Sequence, residues 1–255
     1  MLNLPNFRAM AFATGAELRR RTLLARQPAP EGVRAPSLGM LWRELGGLVD
    51  RNRTFEPAAT AEQPRTVMLL PGFGAHPARM ARMQAALGKA GHSVHDWGLG
   101  FNFGPTPENF AYLAARVERL ARAERRPVVL VGWSLGGLFA REIAKLRPDA
   151  VSLVITMGTP FSGDRRANNA WRAYQFVTGH EVDRPPIDAE FAAKPPVPTV
   201  ALWSPRDGVI APRSASGWPG ERDRAVALRC SHLGFAGSPA AIAEVLRQLD
   251  DPPAG

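Results

Sequence analysis

Residues 128–138 read Val-Val-Leu-Val-Gly-Trp-Ser-Leu-Gly-Gly-Leu, an apolar, β-branched run that ends at a serine flanked by glycines. The run and the helical pattern after it predict a strand, a sharp turn and a helix. In such a turn the serine backbone is strained, and the residues two before and two after it must be small. Gly132 and Gly136 meet that need, so Ser134 is the candidate nucleophile. The alternative is an ordinary glycine-rich turn with an incidental serine.

A serine hydroxyl becomes a nucleophile when a base accepts its proton and a third group orients that base. After a turn of this kind, the acid and then the histidine follow the serine in the chain. Only His180 and His232 follow Ser134. His232 comes directly after the alternating run 224–230, which predicts a strand, whereas His180 lies in a polar, proline-rich stretch. We predict that His232 is the base; a surface histidine is the alternative.

Two aspartates compete for the role of the acid. Asp207 lies in a Pro-Arg-Asp-Gly turn directly after the apolar run 197–204, which predicts the penultimate strand. Asp164 lies in the loop after the predicted strand 151–157. Asp-Gly is also ordinary turn chemistry, so the pattern of Asp207 is not specific to catalysis. We favour Asp207 and keep Asp164 as its rival.

Acyl transfer also needs hydrogen-bond donors aimed at the developing oxyanion. The backbone N–H of Leu135 directly follows the nucleophile at a helix N-terminus, and it is the first candidate. The second is the N–H of Phe73, in the loop after the predicted strand 65–70, where Gly72 lets the chain pass close to the serine. A plain Gly-Pro turn is the alternative interpretation of that loop.

The chain resembles the α/β-hydrolase superfamily, and within it bacterial lipase- or esterase-like serine hydrolases. The resemblance implies Ser134, Asp207 and His232 as a triad and Phe73 and Leu135 as oxyanion donors. The chain differs from many relatives in having proline at position 71 where they have histidine. No opening strand pair is evident before residue 60. The matching stretches are Leu-Pro-Gly-Phe-Gly (70–74), Gly-Leu-Gly-Phe-Asn-Phe-Gly-Pro (98–105), Gly-Trp-Ser-Leu-Gly-Gly-Leu-Phe-Ala-Arg-Glu (132–142), Met-Gly-Thr-Pro-Phe-Ser-Gly (157–163), Ser-Pro-Arg-Asp-Gly-Val-Ile (204–210) and Ser-His-Leu-Gly-Phe (231–235).

The predicted fold class is α/β, a mostly parallel central sheet with helices on both faces. We expect an N-terminal helical segment over residues 1–60 and a hydrolase domain over 61–255. Alternating strands and helices carry this prediction. The expected strands fall near 66–70, 93–97, 127–131, 151–157, 198–203 and 224–230, and the expected helices near 7–26, 37–51, 77–90, 107–123, 135–146 and 239–249.

Residues 161–196 are too many for a simple crossover loop, and they include several aromatic side chains among charges. We interpret this stretch as a small cap inserted after the strand that follows the nucleophile helix. Its Trp171, Tyr174 and Phe176, together with Trp133 beside the nucleophile, form the predicted substrate-binding set. A peripheral helix packed on the sheet is the alternative for the cap.

Composition limits the remaining possibilities. The formal net charge of +9 comes almost wholly from 29 Arg against 3 Lys, which fits a solvated surface or a peripheral contact with an anionic membrane. No nucleic-acid-binding motif accompanies the charge, and no His/Cys cluster has metal-ligand spacing, so we expect neither nucleic acid, nor metal, nor cofactor. The single cysteine, Cys230, and the lack of a long apolar stretch favour a cytoplasmic protein, peripheral to the membrane if attached at all.

These patterns predict a serine ester hydrolase that acts on a small ester or lipid through an acyl-enzyme. Acyl transfer to another acceptor and hydrolysis of a carrier-protein ester stay open, because Gly-Trp-Ser-Leu-Gly-Gly also resembles the elbow of pimeloyl-carrier-protein methyl ester esterases. A non-catalytic binding protein that keeps the fold is the third alternative. The chain length of the acyl group, the alcohol and the oligomeric state are open at this stage.

Overall fold

A computed structural model describes residues 14–46 and 60–254 of the chain. Within these residues, six strands form one parallel sheet in the order β2-β1-β3-β4-β5-β6, which confirms the predicted fold class. No strand is seen in the described part before residue 60, so no opening strand pair is added to the six. The strands are β1 (Thr66–Leu70), β2 (Ser93–Asp96), β3 (Val128–Trp133), β4 (Val151–Met157), β5 (Thr199–Trp203) and β6 (Arg224–Ala227).

The helices lie close to their predicted positions. A 3₁₀ turn, Pro77–Met80, precedes the third helix, and a short helix that the sequence did not predict follows β5. The predicted ends of the first two helices, residues 7–13 and 47–51, lie outside the described residues. The helices are α1 (Gly15–Ala25), α2 (Leu38–Gly46), α3 (Ala81–Lys89), α4 (Pro107–Glu124), α5 (Leu135–Leu146), α6 (Trp171–Thr178), α7 (Pro212–Ser216) and α8 (Pro239–Asp250).

The last strand is shorter than predicted. It ends at Ala227 and does not include Cys230, because its parallel partner β5 supplies no residue beyond the pair Trp203 and Ala227. Ser204 instead turns its hydroxyl onto the Cys230 carbonyl at 2.6 Å. Residues 228–232 therefore form a loop at the carboxyl edge of the sheet.

Each central strand contributes to two apolar layers. Val67 and Leu69 of β1 pack with α3 and α8 on one face, whereas Met68 and Leu70 pack with α4 and α5 on the other. This alternation follows from the two-residue period of a strand. Both faces of the sheet are thus covered, and ligands must approach at an edge or at the strand ends.

The strand order reverses at the centre of the sheet. The chain passes from β1 to the neighbouring β2 and then returns across β1 to form β3 on its other side. The loops after β1 and β3 therefore leave the carboxyl edge in opposite directions and open a crevice between them. Open α/β sheets bind their ligands at such a point. The loop that holds Phe73 and the turn at Ser134 lie on the two sides of this crevice.

The two N-terminal helices contact different parts of the chain. Helix α1 packs on α6, the helix of the 161–196 stretch, where Arg20 and Arg21 donate to the carbonyls of Gly179 and Val177 at 2.9 and 2.7 Å. These carbonyls lie at the C-terminal end of α6, where backbone acceptors lack helical partners. Helix α2 instead lies against the loop after β5, as described below.

Candidate active site

The turn between β3 and α5 forces the conformation of Ser134. Its φ and ψ are 53° and −121°, a strained combination for a residue with a side chain. A Cβ at Gly132 would overlap the backbone of Gly136 and Gly137, and a Cβ at Gly136 would overlap the backbone of Leu70. The backbone N–H of Ser134 donates to the carbonyl of Met157 on β4 at 2.8 Å. Steric exclusion and one hydrogen bond thus hold the serine at the sheet edge.

His232 and Asp207 form a buried pair. The Nδ1 atom of His232 lies 2.8 Å from Oδ2 of Asp207, and the residues are 4% and 1% exposed. The other Asp207 oxygen accepts from the backbone N–H groups of Val209 and Ile210 at 2.8 and 2.7 Å. These two hydrogen bonds orient the carboxylate towards the imidazole. In a serine triad the third group must be oriented in this way, because it in turn orients the histidine.

The rival aspartate lies elsewhere. Asp164 accepts a local hydrogen bond from the backbone N–H of Arg166 at 2.7 Å, on an exposed loop. No hydrogen bond joins it to His232 in the described part of the chain. His180 likewise lies beside the N-terminal helix α1 and away from the pair, and its pKa is lowered by burial and by the nearby Arg20 and Arg21.

Trp133 ties the histidine loop to the nucleophile turn. Its indole N–H donates to the carbonyl of His232 at 3.0 Å, and the two rings lie 5.8 Å apart between centroids. Trp133 is the last residue of β3 and directly precedes Ser134. The histidine is therefore anchored to the strand that presents the serine, although the two residues are 98 positions apart in sequence.

The loop after β1 approaches the serine closely. A Cβ on Gly72 would stand 3.2 Å from the Cβ of Ser134. The buried Asn102 holds this loop. Its side-chain amide donates to the Pro71 carbonyl at 2.7 Å, and its backbone carbonyl accepts from the Gly74 N–H at 2.7 Å. Asn102 fixes the backbone on both sides of Phe73. Asn102 lies in the 98–105 stretch that resembles the family, but the sequence predicts no role for it. Its hydrogen-bond partners lie about thirty residues away in the chain.

The two candidate oxyanion donors have backbone N–H groups with no acceptor among the described residues. The Leu135 amide begins α5, where the first N–H groups of a helix have no intrahelical partner. The Phe73 amide lies in the loop pinned by Asn102. Both residues, together with Ser134, line one pocket.

That pocket is predominantly apolar. Trp171 and Tyr174 of α6 line it, together with Leu138, Phe191 and Ile210. Burial raises the pKa of the Tyr174 phenol to about 12, so its hydroxyl stays neutral across the physiological range. Arg165 is the charged residue among the described ones that line the pocket, and its guanidinium stacks on Phe191 and donates to backbone carbonyls. The cavity is suited to an uncharged, apolar group.

Two residues of the predicted substrate-binding set do not line the pocket. Phe176 lies two positions after Tyr174, about 200° further around the helix, and its carbonyl faces Arg21 of α1. Trp133 points to the opposite face of β3, where it joins the core. Helix and strand periodicity thus place Phe176 and Trp133 away from the residues that line this pocket.

Arg141 was also missed by sequence reasoning. It is fully buried on α5, and it donates to the carbonyls of Phe191, Ala192 and Ala193 at 2.8–3.2 Å while its guanidinium lies over the Phe161 ring. Burial lowers the pKa of the guanidinium to about 10, which leaves it charged at neutral pH. Helix α5 thus holds the 191–193 stretch and, with it, one wall of the pocket.

The described residues contain no group of three or more His, Cys, Asp and Glu side chains able to hold a metal ion. Burial raises the pKa of the Cys230 thiol to about 12, and the carboxylates of Asp207 and Glu44 add to that rise. Among the same residues, no helix is both long enough and apolar enough to span a membrane.

Comparison with known proteins supports this fold. Residues 67–253 match the family model described as the alpha/beta hydrolase family. The match covers most of the chain and includes the serine turn, the aspartate and the histidine. The chain therefore belongs to the α/β-hydrolase family. No curated protein sequence matches it.

Solved structures show the same architecture at low sequence identity. A gene product of Listeria innocua is 15% identical with a TM-score of 0.52, over 75% of this chain and 96% of its own. A structure reported with LipS and LipT, two metagenome-derived lipolytic enzymes, is 15% identical with a TM-score of 0.52, over 77% of this chain and 96% of its own. A membrane phospholipase A is 18% identical with a TM-score of 0.50, over 74% of this chain and 81% of its own. At these identities the likeness concerns the fold.

Proposed function

We propose that this protein is a serine ester hydrolase that acts through a covalent acyl-enzyme, with Ser134, Asp207 and His232 as its catalytic residues. The observation that carries the proposal is the buried hydrogen bond between His232 and Asp207, held by Trp133 to the strand that presents a strained serine. Membership of the α/β-hydrolase family supports hydrolysis as the reaction class. The orientation of the His232 imidazole contributes to catalysis only if the imidazole accepts the hydroxyl proton of Ser134.

In the first half of the reaction, Ser134 Oγ attacks the ester carbonyl carbon and His232 Nε2 accepts the hydroxyl proton. The backbone N–H groups of Phe73 and Leu135 stabilise the oxyanion of the tetrahedral intermediate. Its collapse breaks the bond to the alcohol, which leaves with the proton from His232. Asp207 keeps the imidazole in the required tautomer and stabilises the imidazolium that forms.

In the second half, water attacks the acyl-serine ester while His232 accepts one of its protons. The second tetrahedral intermediate releases the carboxylic acid, and the proton returns to Ser134. No further reactant is consumed. The apolar pocket lined by Leu138, Trp171 and Phe191 supports an acyl chain as the group bound beside the serine. Lipolytic enzymes among the structural neighbours are consistent with such a substrate.

The test is covalent labelling by a fluorophosphonate together with hydrolysis of p-nitrophenyl esters of increasing acyl length. We expect one label per chain, found by peptide mass spectrometry on Ser134. Ser134→Ala should lose the label and about 10⁶-fold in kcat, because triad members act as a unit. Ser238→Ala, which removes a helix N-cap on α8 instead, is the matched control and should keep the label.

Each of the other interpretations makes a different prediction. A binding protein that only keeps the fold would take up no label and release no p-nitrophenol. Turnover retained by Ser134→Ala above a few per cent would contradict the assignment of the nucleophile. An acyltransferase would label normally, but added alcohol or thiol acceptors would accelerate p-nitrophenol release and divert the acyl group from the free acid.

A further inference from the structure

Helix α2 inserts a buried carboxylate between the two loops that carry Asp207 and His232. Glu44 is 3% exposed. Its Oε1 accepts from the backbone N–H groups of Gly208 and His232 at 2.9 and 2.6 Å, and its Oε2 accepts from Leu233 at 3.0 Å. These donors are the residue after the aspartate, the histidine itself and the residue after the histidine.

The three contacts identify the chemical form of this side chain. Both oxygens face N–H donors, and a protonated carboxyl would present a hydrogen to one of them, so the ionised, acceptor-only form fits. No salt bridge to Glu44 is found within residues 14–46 and 60–254. Charge-assisted hydrogen bonds to backbone N–H groups are stronger than neutral ones.

The packing of α2 adds a steric constraint at the same place. A Cβ on Gly208 would overlap the backbone of Met40. The side chain of Asn169 donates both to the Gly208 carbonyl at 2.8 Å and to the Pro36 carbonyl, just before α2, at 3.0 Å. The backbone beside Asp207 is therefore held at its N–H by Glu44 of α2 and at its C=O by Asn169, which also holds the residue just before α2.

We propose that Glu44 is a positioning residue of the active site, whose carboxylate fixes the separation of the Asp207 and His232 loops and so the geometry of the pair. The proposal rests on the proposed function. Since the hydrogen bonds that Glu44 makes within the described residues go to backbone amides of these loops, and Glu44 does not line the apolar pocket, its loss should affect proton transfer and leave substrate binding nearly unchanged. A misplacement of about 1 Å in a catalytic group can cost about 100-fold in rate.

The test compares Glu44→Gln and Glu44→Ala with the wild type. Glu44→Gln has the same shape and can keep the two bonds to one oxygen, but it faces the Leu233 N–H with a donor. Glu44→Ala loses all three acceptor contacts. We expect kcat for p-nitrophenyl esters to fall roughly 10-fold in the first variant and 100-fold in the second, with KM within a factor of about two. The rate of fluorophosphonate labelling should fall in parallel.

A matched control removes another buried carboxylate. Glu142→Gln on α5 removes the charge of a carboxylate that pairs with Lys145 at 2.7 Å, and it touches neither loop. Its kcat should equal that of the wild type. If both Glu44 variants matched Glu142→Gln in kcat and labelling rate, the proposal would be overturned. Should Glu44→Ala fail to fold, the isosteric Glu44→Gln decides the outcome.

A spectroscopic measurement separates this proposal from the proposed function. The proton between His232 Nδ1 and Asp207 should resonate far downfield in the NMR spectrum, and it should shift or broaden in Glu44→Gln but not in Glu142→Gln. This signal needs no turnover. A wild type that hydrolyses no ester would refute the proposed function, while an unchanged signal in Glu44→Gln would refute the role of Glu44.

Discussion

The two halves of the candidate site are held by different means. Ser134 is fixed within one continuous stretch, where Gly132 and Gly136 leave the backbone a single path between β3 and α5. Asp207 and His232 lie on two separate loops, and the contacts around them include a carboxylate from the N-terminal helix α2. Local sterics therefore define the position of Ser134, whereas the positions of His232 and Asp207 depend on long-range hydrogen bonds. The glycines around Ser134 mark the first half in the sequence, whereas the hydrogen bonds that hold the second half leave no such pattern.

The largest effect expected within this comparison of the two halves falls on the half that depends on loops. Asp207→Asn should fold normally but lose about 10⁴-fold in kcat, because the amide favours the wrong histidine tautomer. Asp164→Asn is the matched control, and its kcat should stay near that of the wild type. Steady-state hydrolysis of a short p-nitrophenyl ester measures both. The reverse result would move the acid to the loop after β4.

Cys230 provides a chemical test of the same half, since it is buried next to Asp207 and Glu44. A rise of the thiol pKa from 9.0 to about 12 cuts the thiolate fraction near pH 8 about a thousandfold. Alkylation by iodoacetamide near pH 8 should be slower by about that factor in the native protein than in urea, and its rate should rise with pH as long as the protein stays folded. Native and unfolded rates that agree would show that the carboxylate-lined loop is open to solvent.

A pair of glycine substitutions compares the two halves directly. Gly136→Ala and Gly208→Ala each force a Cβ against backbone, and each should lower the free energy of unfolding by roughly 1–3 kcal/mol. Gly88→Ala on α3 has open space around it and should stabilise by up to about 1 kcal/mol. Urea denaturation measures all three.

Limited trypsin digestion then locates the damage in these variants. Gly208→Ala should release α2 and speed cleavage after Arg34 and Arg43, which Gly136→Ala should leave slow. Equal cleavage in both variants would mean that α2 is not held by the loop that carries Asp207 and Gly208.

The smallest effect concerns the pocket. Trp171→Ala should lower kcat/KM more for long acyl esters than for acetate, by a difference of up to roughly 1–3 kcal/mol, because it removes apolar contact with the chain. Trp218→Ala is the control, since this exposed tryptophan lies outside the pocket. Equal losses at all chain lengths would mean that α6 merely packs on the sheet.

Much of the fold is readable because its signals are local. The apolar runs of β1, β3 and β4 and the glycines around Ser134 predict a parallel sheet and the position of a serine. The order of serine, acid and histidine narrows the choice of partners. The actual end of β6 was not predictable, because it depends on where β5 stops and not on the residues of β6.

Glu44 shows why the rest of the site escapes such reasoning. On α2 the apolar Leu38 and Trp42 are exposed and the acidic Glu44 is buried, the reverse of an ordinary amphipathic helix. Its three partners are backbone amides, which are the same in every sequence. Asn102 and Arg141 likewise act on carbonyls or amides far along the chain. No residue pattern records such contacts.

The bonds of Glu44 also have a consequence for synthesis of the chain. They join positions 164 to 189 residues apart, so α2 leaves the ribosome long before the loops it holds exist. Contacts of such long range form late and slow folding. Synthesis must pass residue 233 before Glu44 has all three donors. A nascent chain that ends before this residue contains a complete serine turn and no assembled base, so it should be inert towards esters.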